Sequence, residues 1–497
     1  MSEVTRRDFV KGAAAGAVVV ASTGILASCT SGSTVETGLP EKWDRETDVL
    51  IVGSGAAGLA AAIDARRAGA EVLVLEKMPF KGGNTSISTA YMNAVETPVQ
   101  KERNIEYWSK DKFYNWTMMG GDNKNDPTQV RLYANQSGDA VGMLYDMGAP
   151  FPYVGPYTHM VTEEWGAGLI KLLSDIADEV GVTVLIDTEV TGLVADMAVT
   201  PPRVLGATVT DGSGETENIK ARKAVILAAG GFGANPAVID KYDPSLKGYA
   251  TTNIPGVSTG ECLSMALALG ADTAGINYIQ IHPTVYAFEG RSMLITEAVR
   301  GSGAILVNTD GVRFCDEMHR RDVVSAAIIA EKDKFAFLIG SQDVYHSKID
   351  QYTADGIVVK AETIKELAEQ LGLDPVKLRQ TVDTFNSYVE AGEDPEFQRG
   401  VYRELGEGYL LPGKIETPPF YGIKVTPGVH HCCGGLKINT EAQVVHAQGE
   451  AIGKLFAAGE VAGGVHGTNR MGGNAITECI VFGRIAGQNA AKEEPWE

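Results

Sequence analysis

Thr296-Glu297-Ala298-Val299-Arg300, followed by Arg320-Arg321-Asp322, brings together three guanidinium groups and two carboxylates. A guanidinium presents a planar fork of donors that matches a carboxylate, so cations gathered in this way suit an anionic substrate. Taken singly, each candidate has a plainer structural account. Arg321-Asp322 reads as an ion pair opening a helix. His430 and His431 read as polar residues at a sheet edge, His282 before Pro283 as a turn cap, and Cys432-Cys433 as small buried side chains. It is their joint occurrence that calls for a site.

The elements that must position such a site begin with Asp48-Val49-Leu50-Ile51-Val52, an apolar run that turns at once into Gly53-Ser54-Gly55-Ala56-Ala57-Gly58 and an alanine-rich stretch through Ala68. This reads as strand, glycine turn and helix. Gly53 permits the tight turn, Gly55 lets the backbone reach a pyrophosphate and Gly58 allows close helix packing, while the helix N-terminus offers free N–H groups to the anion. A second strand, Glu71 to Leu75, ends in Glu76, placed to bind a ribose. Lys81-Gly82-Gly83-Asn84-Thr85 follows, and glycine-rich segments recur at Val225 to Gly233, Leu455 to Glu460 and Gly472-Gly473-Asn474-Ala475. That recurrence favours FAD over NAD. Glu460 is expected at the ribityl chain, and a helix from Ile476 to Ala491 points its N-terminal dipole at the ring system. The set expected to hold the cofactor is Gly53, Gly55, Ala56, Ala57, Gly58, Glu76, Lys77, Gly82, Gly83, Asn84, Thr85, Val190, Ala229, Gly230, Gly260, Glu460, Asn474, Ala475 and Ile476.

From about Asp48 to Gln488 the chain resembles the soluble fumarate reductase flavoproteins, relatives of the succinate dehydrogenase flavoprotein subunit. The motifs that carry the resemblance are Gly82-Gly83-Asn84-Thr85, His282-Pro283-Thr284, Thr296 to Gly301, Arg321-Asp322, His430 to Gly435 and Asn469 to Ala475. The resemblance implies that Arg470 and His430 grip one carboxylate, that His282 and Thr296 hold the other, that Arg321 is the catalytic acid, and that Glu297 and Arg300 return a proton to it. The tethering histidine of the membrane-bound relatives has no counterpart near Asn84-Thr85-Ser86, so FAD is expected to be noncovalent. Cys432-Cys433 departs from the Thr-Met type usual in the family. The segment Val285 to Ser292, with Tyr286, Phe288 and Arg291, is more aromatic than the fumarate reductase pattern and keeps urocanate or an aryl acrylate open beside fumarate.

The chemistry itself sets the requirement for cations. Reducing an alkene conjugated to a carboxylate delivers hydride from flavin N5 to the β-carbon while negative charge builds on the α-carbon and carboxylate. The α-carbon is then protonated. Arginine is an unusual donor because it is normally a permanent cation, and positive charge from Arg300 and Arg320 is expected to assist.

Composition bounds the rest. With 497 residues and 44% hydrophobic content the chain supports two or three packed domains. A formal net charge of -20 argues against nucleic-acid binding. Thr5-Arg6-Arg7-Asp8-Phe9-Val10-Lys11 and the apolar run Gly12 to Ala27 read as a twin-arginine export signal, and Leu26-Ala27-Ser28-Cys29 as a lipobox that would anchor the chain outside the cytoplasm through a lipid on Cys29. The remaining cysteines show no disulfide or metal pattern, and no Cys-x-x-Cys-His occurs, so electrons are expected from an external donor protein such as a cytochrome. The expected architecture is α/β: signal 1–29, tether 30–42, a discontinuous Rossmann-like FAD-binding domain over 43–272 and 417–497, and an inserted α+β capping domain over 273–416. Glu362 to Val389 reads as cap helices with Leu367, Leu371, Leu378, Val382 and Phe385 facing inward. Three rival readings are a dehydrogenase or oxidase of the same fold acting on steroids or amino acids, against which the arginine set speaks, a non-catalytic solute-binding lipoprotein and an electron-storing flavoprotein.

Overall fold

In the computed structural model the described residues are 34–36, 39–400, 411 and 413–496. The expected signal over 1–29, with its arginine pair and Cys29, lies outside them. Within the expected tether, Thr34–Glu36 pairs in parallel with a strand at 188–196.

The first apolar run forms β1 (Arg45–Val52), joined through the glycine turn to α1 (Ala56–Arg67) and then β2 (Val72–Leu75). These strands pair in parallel, Val49 opposite Val72 and Val52 opposite Leu75. The sheet continues with β3 (Thr183–Leu185), β4 (Thr188–Asp196), β5 (Arg203–Asp211), β6 (Thr216–Leu227) and β13 (Ala451–Ala457). Its order is β4-β5-β13-β6-β1-β2-β3. The middle strands are covered on both faces, so they read as unbroken apolar runs instead of alternating ones; Leu50, Ile51, Ile226 and Leu455 are fully buried.

The last helix, α9 (Asn474–Lys492), packs on the first at backbone distance. A Cβ on Gly483 would stand 2.5 Å from the Ala57 carbonyl oxygen, and one on Gly487 would stand 2.2 Å from that of Ala61. Two glycines one turn apart therefore seat the C-terminal part of the chain against the opening β-α unit. The helix starts two residues before the expected Ile476, because Gly473 takes a left-handed turn (φ 87°) immediately ahead of Asn474.

A second sheet is antiparallel. It contains β7 (Ile279–Tyr286), β8 (Met293–Leu294), β9 (Ile305–Val307), β10 (Ala336–Gly340), β11 (Val358–Ala361) and the long β12 (Phe420–Cys432), in the order β8-β7-β12-β10-β9 with β11 also on β12. Alternation assigns its residues to two separate cores. Leu306 and Leu338 enter one with Val299 and Ile423, while Ile305, Val307 and Ile339 enter the other with Leu367, Leu378 and Phe385. The helices expected over 362–389 are α7 (Ile364–Leu371) and α8 (Pro375–Ala391). Asp374 caps α8 by accepting from Val376 N–H at 2.8 Å, and Pro375 occupies its first turn.

Candidate active site

A cleft opens at the C-terminal ends of β1, β2, β6 and β13. Its lining includes Gly53, Gly55, Ala56, Ala57, Glu76, Lys77, Gly82, Gly83, Asn84, Thr85, Val190, Ala229, Gly230 and Glu460. Gly53 (φ 104°) brings its backbone so near β6 that a Cβ would lie 2.4 Å from the Ala228 carbonyl oxygen. Glu76 is fixed by Ser54, whose hydroxyl donates at 2.6 Å and whose N–H donates at 3.1 Å, and by Met78 N–H at 2.9 Å. Thr85 Oγ1 accepts from Ala56 N–H at 3.2 Å, tying the second glycine loop to the start of α1. This cradle of close backbone, a helix N-terminus and a fixed acid fits FAD.

Some expected residues act from outside that lining. Gly58 lies within α1, where a Cβ would stand 1.9 Å from Gly53 O. Gly260 is the left-handed cap of α4 (Glu261–Ala268), and Asn474, Ala475 and Ile476 open α9. Lys77 lines the cleft but gives its charge to Glu261 at 2.9 Å. Ser54, inside the glycine fingerprint but given no role there, also lines it, as do Ser258, Glu261, Cys262 and Cys479, which carry no motif that would have marked them.

The cationic residues meet at the second sheet. Gln280 and His282 are two apart on β7 and share a face. Across from them, Gln280 pairs with His431 and Ile281 with Val429, which leaves His430 as the extra residue of a bulge; a second irregularity follows His282. Bulges of this kind re-aim side chains. The His282 and His430 rings consequently stand 5.1 Å apart, edge to face.

Arg321 is the first residue of α6 (Arg321–Ala330), an unfavourable end of the dipole for a cation. Two acceptors offset this: Glu297 Oε2 takes its Nε–H at 2.9 Å, and Gln280 Oε1 takes its NH1 at 2.9 Å. The Gln280 amide donates in turn to the Arg470 carbonyl at 2.8 Å and to Asn469 Oδ1 at 2.7 Å. Arg470 NH2 donates to His430 Nε2 at 2.9 Å, and His430 Nδ1 meets Thr252 Oγ1 at 2.7 Å. Arg300 NH2 lies 3.9 Å from Glu297 Oε2. Thr296 caps the single turn of α5 (Glu297–Gly301), accepting from Ala298 N–H at 3.5 Å. Arg300, Glu297, Arg321, Arg470 and His430 are thus linked directly or through Gln280, while His282 stands against the His430 ring and Thr296 adjoins Glu297 in the chain.

Burial and charge set their protonation. Burial lowers both His282 and His430 well below the ordinary histidine value, and the charges of Arg321 and Arg470 push the same way. Both rings are neutral at neutral pH. His282 Nδ1 accepts Thr284 N–H at 3.2 Å, which assigns its proton to Nε2; His430 accepts from Arg470 at Nε2, which assigns its proton to Nδ1. Burial raises Glu297, but Arg321 and Arg300 overcome it and hold the carboxyl at about 2. Burial first and Arg321 second bring Arg470 down to about 9.

Two expectations require correction. Arg320 pairs with Asp122 at 2.5 Å and Asp322 at 2.9 Å, so its charge is spent outside the cluster. Tyr286 and Phe288 pack into a core, their rings 5.4 Å apart, and Arg291 bonds Glu289 and the Asp355 carbonyl; the aromatic segment fills the fold beside the cluster. Gln280 and Thr252 were missed, and Asn469 stood in a motif without a role. Gln280 was findable from its two-residue spacing to His282, whereas Thr252 reaches His430 through tertiary structure alone.

Comparison with known proteins identifies the family. Residues 48–476 match the family described as FAD binding domain. The chain is 41% identical to Fumarate reductase (cytochrome) of Shewanella frigidimarina, over 90% of this chain and 77% of that protein. It is 40% identical to NADH:fumarate oxidoreductase of Klebsiella pneumoniae (strain 342), again over 90% of this chain, but spans 48% of that longer protein. The open conformation of a flavocytochrome c3 fumarate reductase superposes with a TM-score of 0.76 at 37% identity, covering 90% of this chain and 79% of that one. The chain belongs to the FAD-binding flavoprotein family of the fumarate reductases.

Proposed function

We propose that this protein reduces the carbon–carbon double bond of an unsaturated carboxylic acid, with fumarate favoured. The observation that carries the reading is the unbroken chain of contacts Arg300–Glu297–Arg321–Gln280–Arg470–His430 beside the cofactor cleft. Bound FAD supplies the pair of electrons. Arg470, held in place by neutral His430, which accepts from it, grips one substrate carboxylate, and Nε2–H of His282 with Thr296 holds the other; donors at both ends fix and polarise the alkene. Charge that develops at the α-carbon is met by Arg321, which delivers the proton, and Glu297 with Arg300 restores it. A cap that closes over the cleft excludes water while this happens.

Fumarate is favoured over urocanate or an aryl acrylate because Tyr286, Phe288 and Arg291 take their partners within the fold and leave the two histidine-centred grips for a diacid. The decisive measurement is oxidation of reduced viologen by a panel of unsaturated acids. Turnover with fumarate leading is expected; a yellow protein that turns over none of them, or a colourless one, defeats the reading. Noncovalent attachment of FAD rests on the loop from Lys77 to Ala90, which contains no histidine, and is checked by release of free flavin on acid precipitation. Electrons come from a separate donor protein such as a cytochrome. The proposal includes export and lipid anchoring, supported by Arg6-Arg7 and Cys29 in the sequence, with cell fractionation of a Cys29→Ala variant as the test.

A further inference from the structure

Behind Arg300 lies a set of charges that neither the motifs nor the proposed chemistry employs. Arg313, Glu317, Asp394 and Arg399 are all buried, the last three completely. The Glu317 carboxylate accepts from Arg313 at 2.7 and 2.9 Å, from Arg399 NH1 at 2.9 Å and from Leu306 N–H at 3.2 Å. Asp394 bonds Arg313 at 2.7 Å and accepts the Arg399 N–H at 3.1 Å, so it holds both arginines in place. Two contacts tie this set to Arg300. Arg399 NH2 donates to the Arg300 carbonyl at 2.6 Å, and Arg300 NH1 donates to the Glu317 carbonyl.

Such a cluster is poor value as a pure stabiliser, since well-packed apolar residues of similar volume usually serve a core as well or better. Its contacts indicate a different benefit. The α5 turn is five residues long and too short to hold its own shape. Arg300 is fixed by its backbone oxygen at one end and by its guanidinium at the other, and Glu297 lies 3.9 Å from that guanidinium. We infer that Glu317 and Arg399 are positioning residues that clamp Arg300 at both ends and keep it in register with Glu297 and Arg321. This rests on the reductase reading.

The test is a double-mutant cycle on the FAD-loaded protein with fumarate and reduced viologen. Glu317→Gln keeps the backbone oxygen that Arg300 meets but weakens the hold on Arg399, which fixes the Arg300 carbonyl; this change, and separately Arg399→Lys, should lower kcat roughly tenfold and leave KM within about twofold. In an Arg300→Met background the same changes should move kcat by less than about twofold, because they act through a side chain already removed. Calorimetric binding of a saturated dicarboxylate should stay within about twofold of the parent throughout. Equal losses in both backgrounds, or loss of dicarboxylate binding along with kcat, would overturn the inference and assign these residues to the core alone. If Glu317→Gln does not fold, Arg399→Lys carries the cycle by itself. No turnover by the parent protein would instead sink the reductase reading, and this inference with it.

Discussion

The cofactor cleft and the cationic cluster are built by opposite means. Around the cleft the critical atoms are backbone, as at Gly53 against Ala228 and Gly58 against Gly53, where an added Cβ has no room. In the cluster the critical atoms are the ends of long side chains, and each buried cation depends on a named acceptor: Arg321 on Glu297 and Gln280, Arg470 on His430. A cradle of backbone tolerates changes of charge but no change of volume at its glycines. A cluster of buried charges tolerates neither the loss of a partner nor a displaced one.

The contrast can be broken most severely at Arg321. Arg321→Ala should lower kcat with fumarate roughly 10³-fold while the purified protein stays as yellow as the parent; loss of flavin in step with activity would show that the two regions are not separable. The mirror experiment is Gly53→Val. It should leave most of the protein without flavin and cost about 1–3 kcal/mol in unfolding free energy, while the flavin-bound fraction keeps its turnover per flavin.

Smaller effects sharpen the electrostatic half. His430 is neutral in the fold and its folded pKa is depressed, so its contribution is intact above the unfolded value near 6.5 and is lost as pH falls. Below about pH 6.5 the parent should lose roughly 1.4 kcal/mol per pH unit for this ring, a slope that His430→Gln removes in a pH series of denaturant melts. The smallest expected effect belongs to the cleft side. Burial raises Glu478 to about 8, with the nearby Glu460 adding to the shift. An acid whose folded pKa is raised has its contribution in full below the unfolded value near 4.5 and loses it as pH rises toward 8. Glu478→Gln should therefore raise Tm by roughly 2–4 °C at pH 7 and not at pH 4; an equal gain at both would point to packing.

The two regions also differed in how openly the chain declared them. Strand, turn and helix over 45–67 stand within two or three residues of where the apolar run and glycines put them, since every contact that shapes the turn is local. The start of α9 lies two residues ahead of the expected Ile476 because Gly473 is its left-handed lead-in. The arginines and histidines were recognisable as a set by motif, yet Arg320 and Arg321 are neighbours in sequence and only geometry separates them. Helix α6 begins between their side chains, sending one to Asp122 and the other to Glu297. The same holds for Tyr286 and Phe288, whose aromatic character was evident and whose direction was not.

What the residues alone determined was the local backbone: where apolar runs become strands, where glycine lets a turn approach a phosphate, and which side chains have the chemistry to bind a carboxylate. What tertiary structure decided was which charges meet. Arg470, Gln280, Glu297 and Arg321 are brought together by three bonds that span 190, 41 and 24 positions of chain. Sequence period describes one element at a time, whereas the energy of a buried ion depends on what other elements deliver within a few ångströms of it.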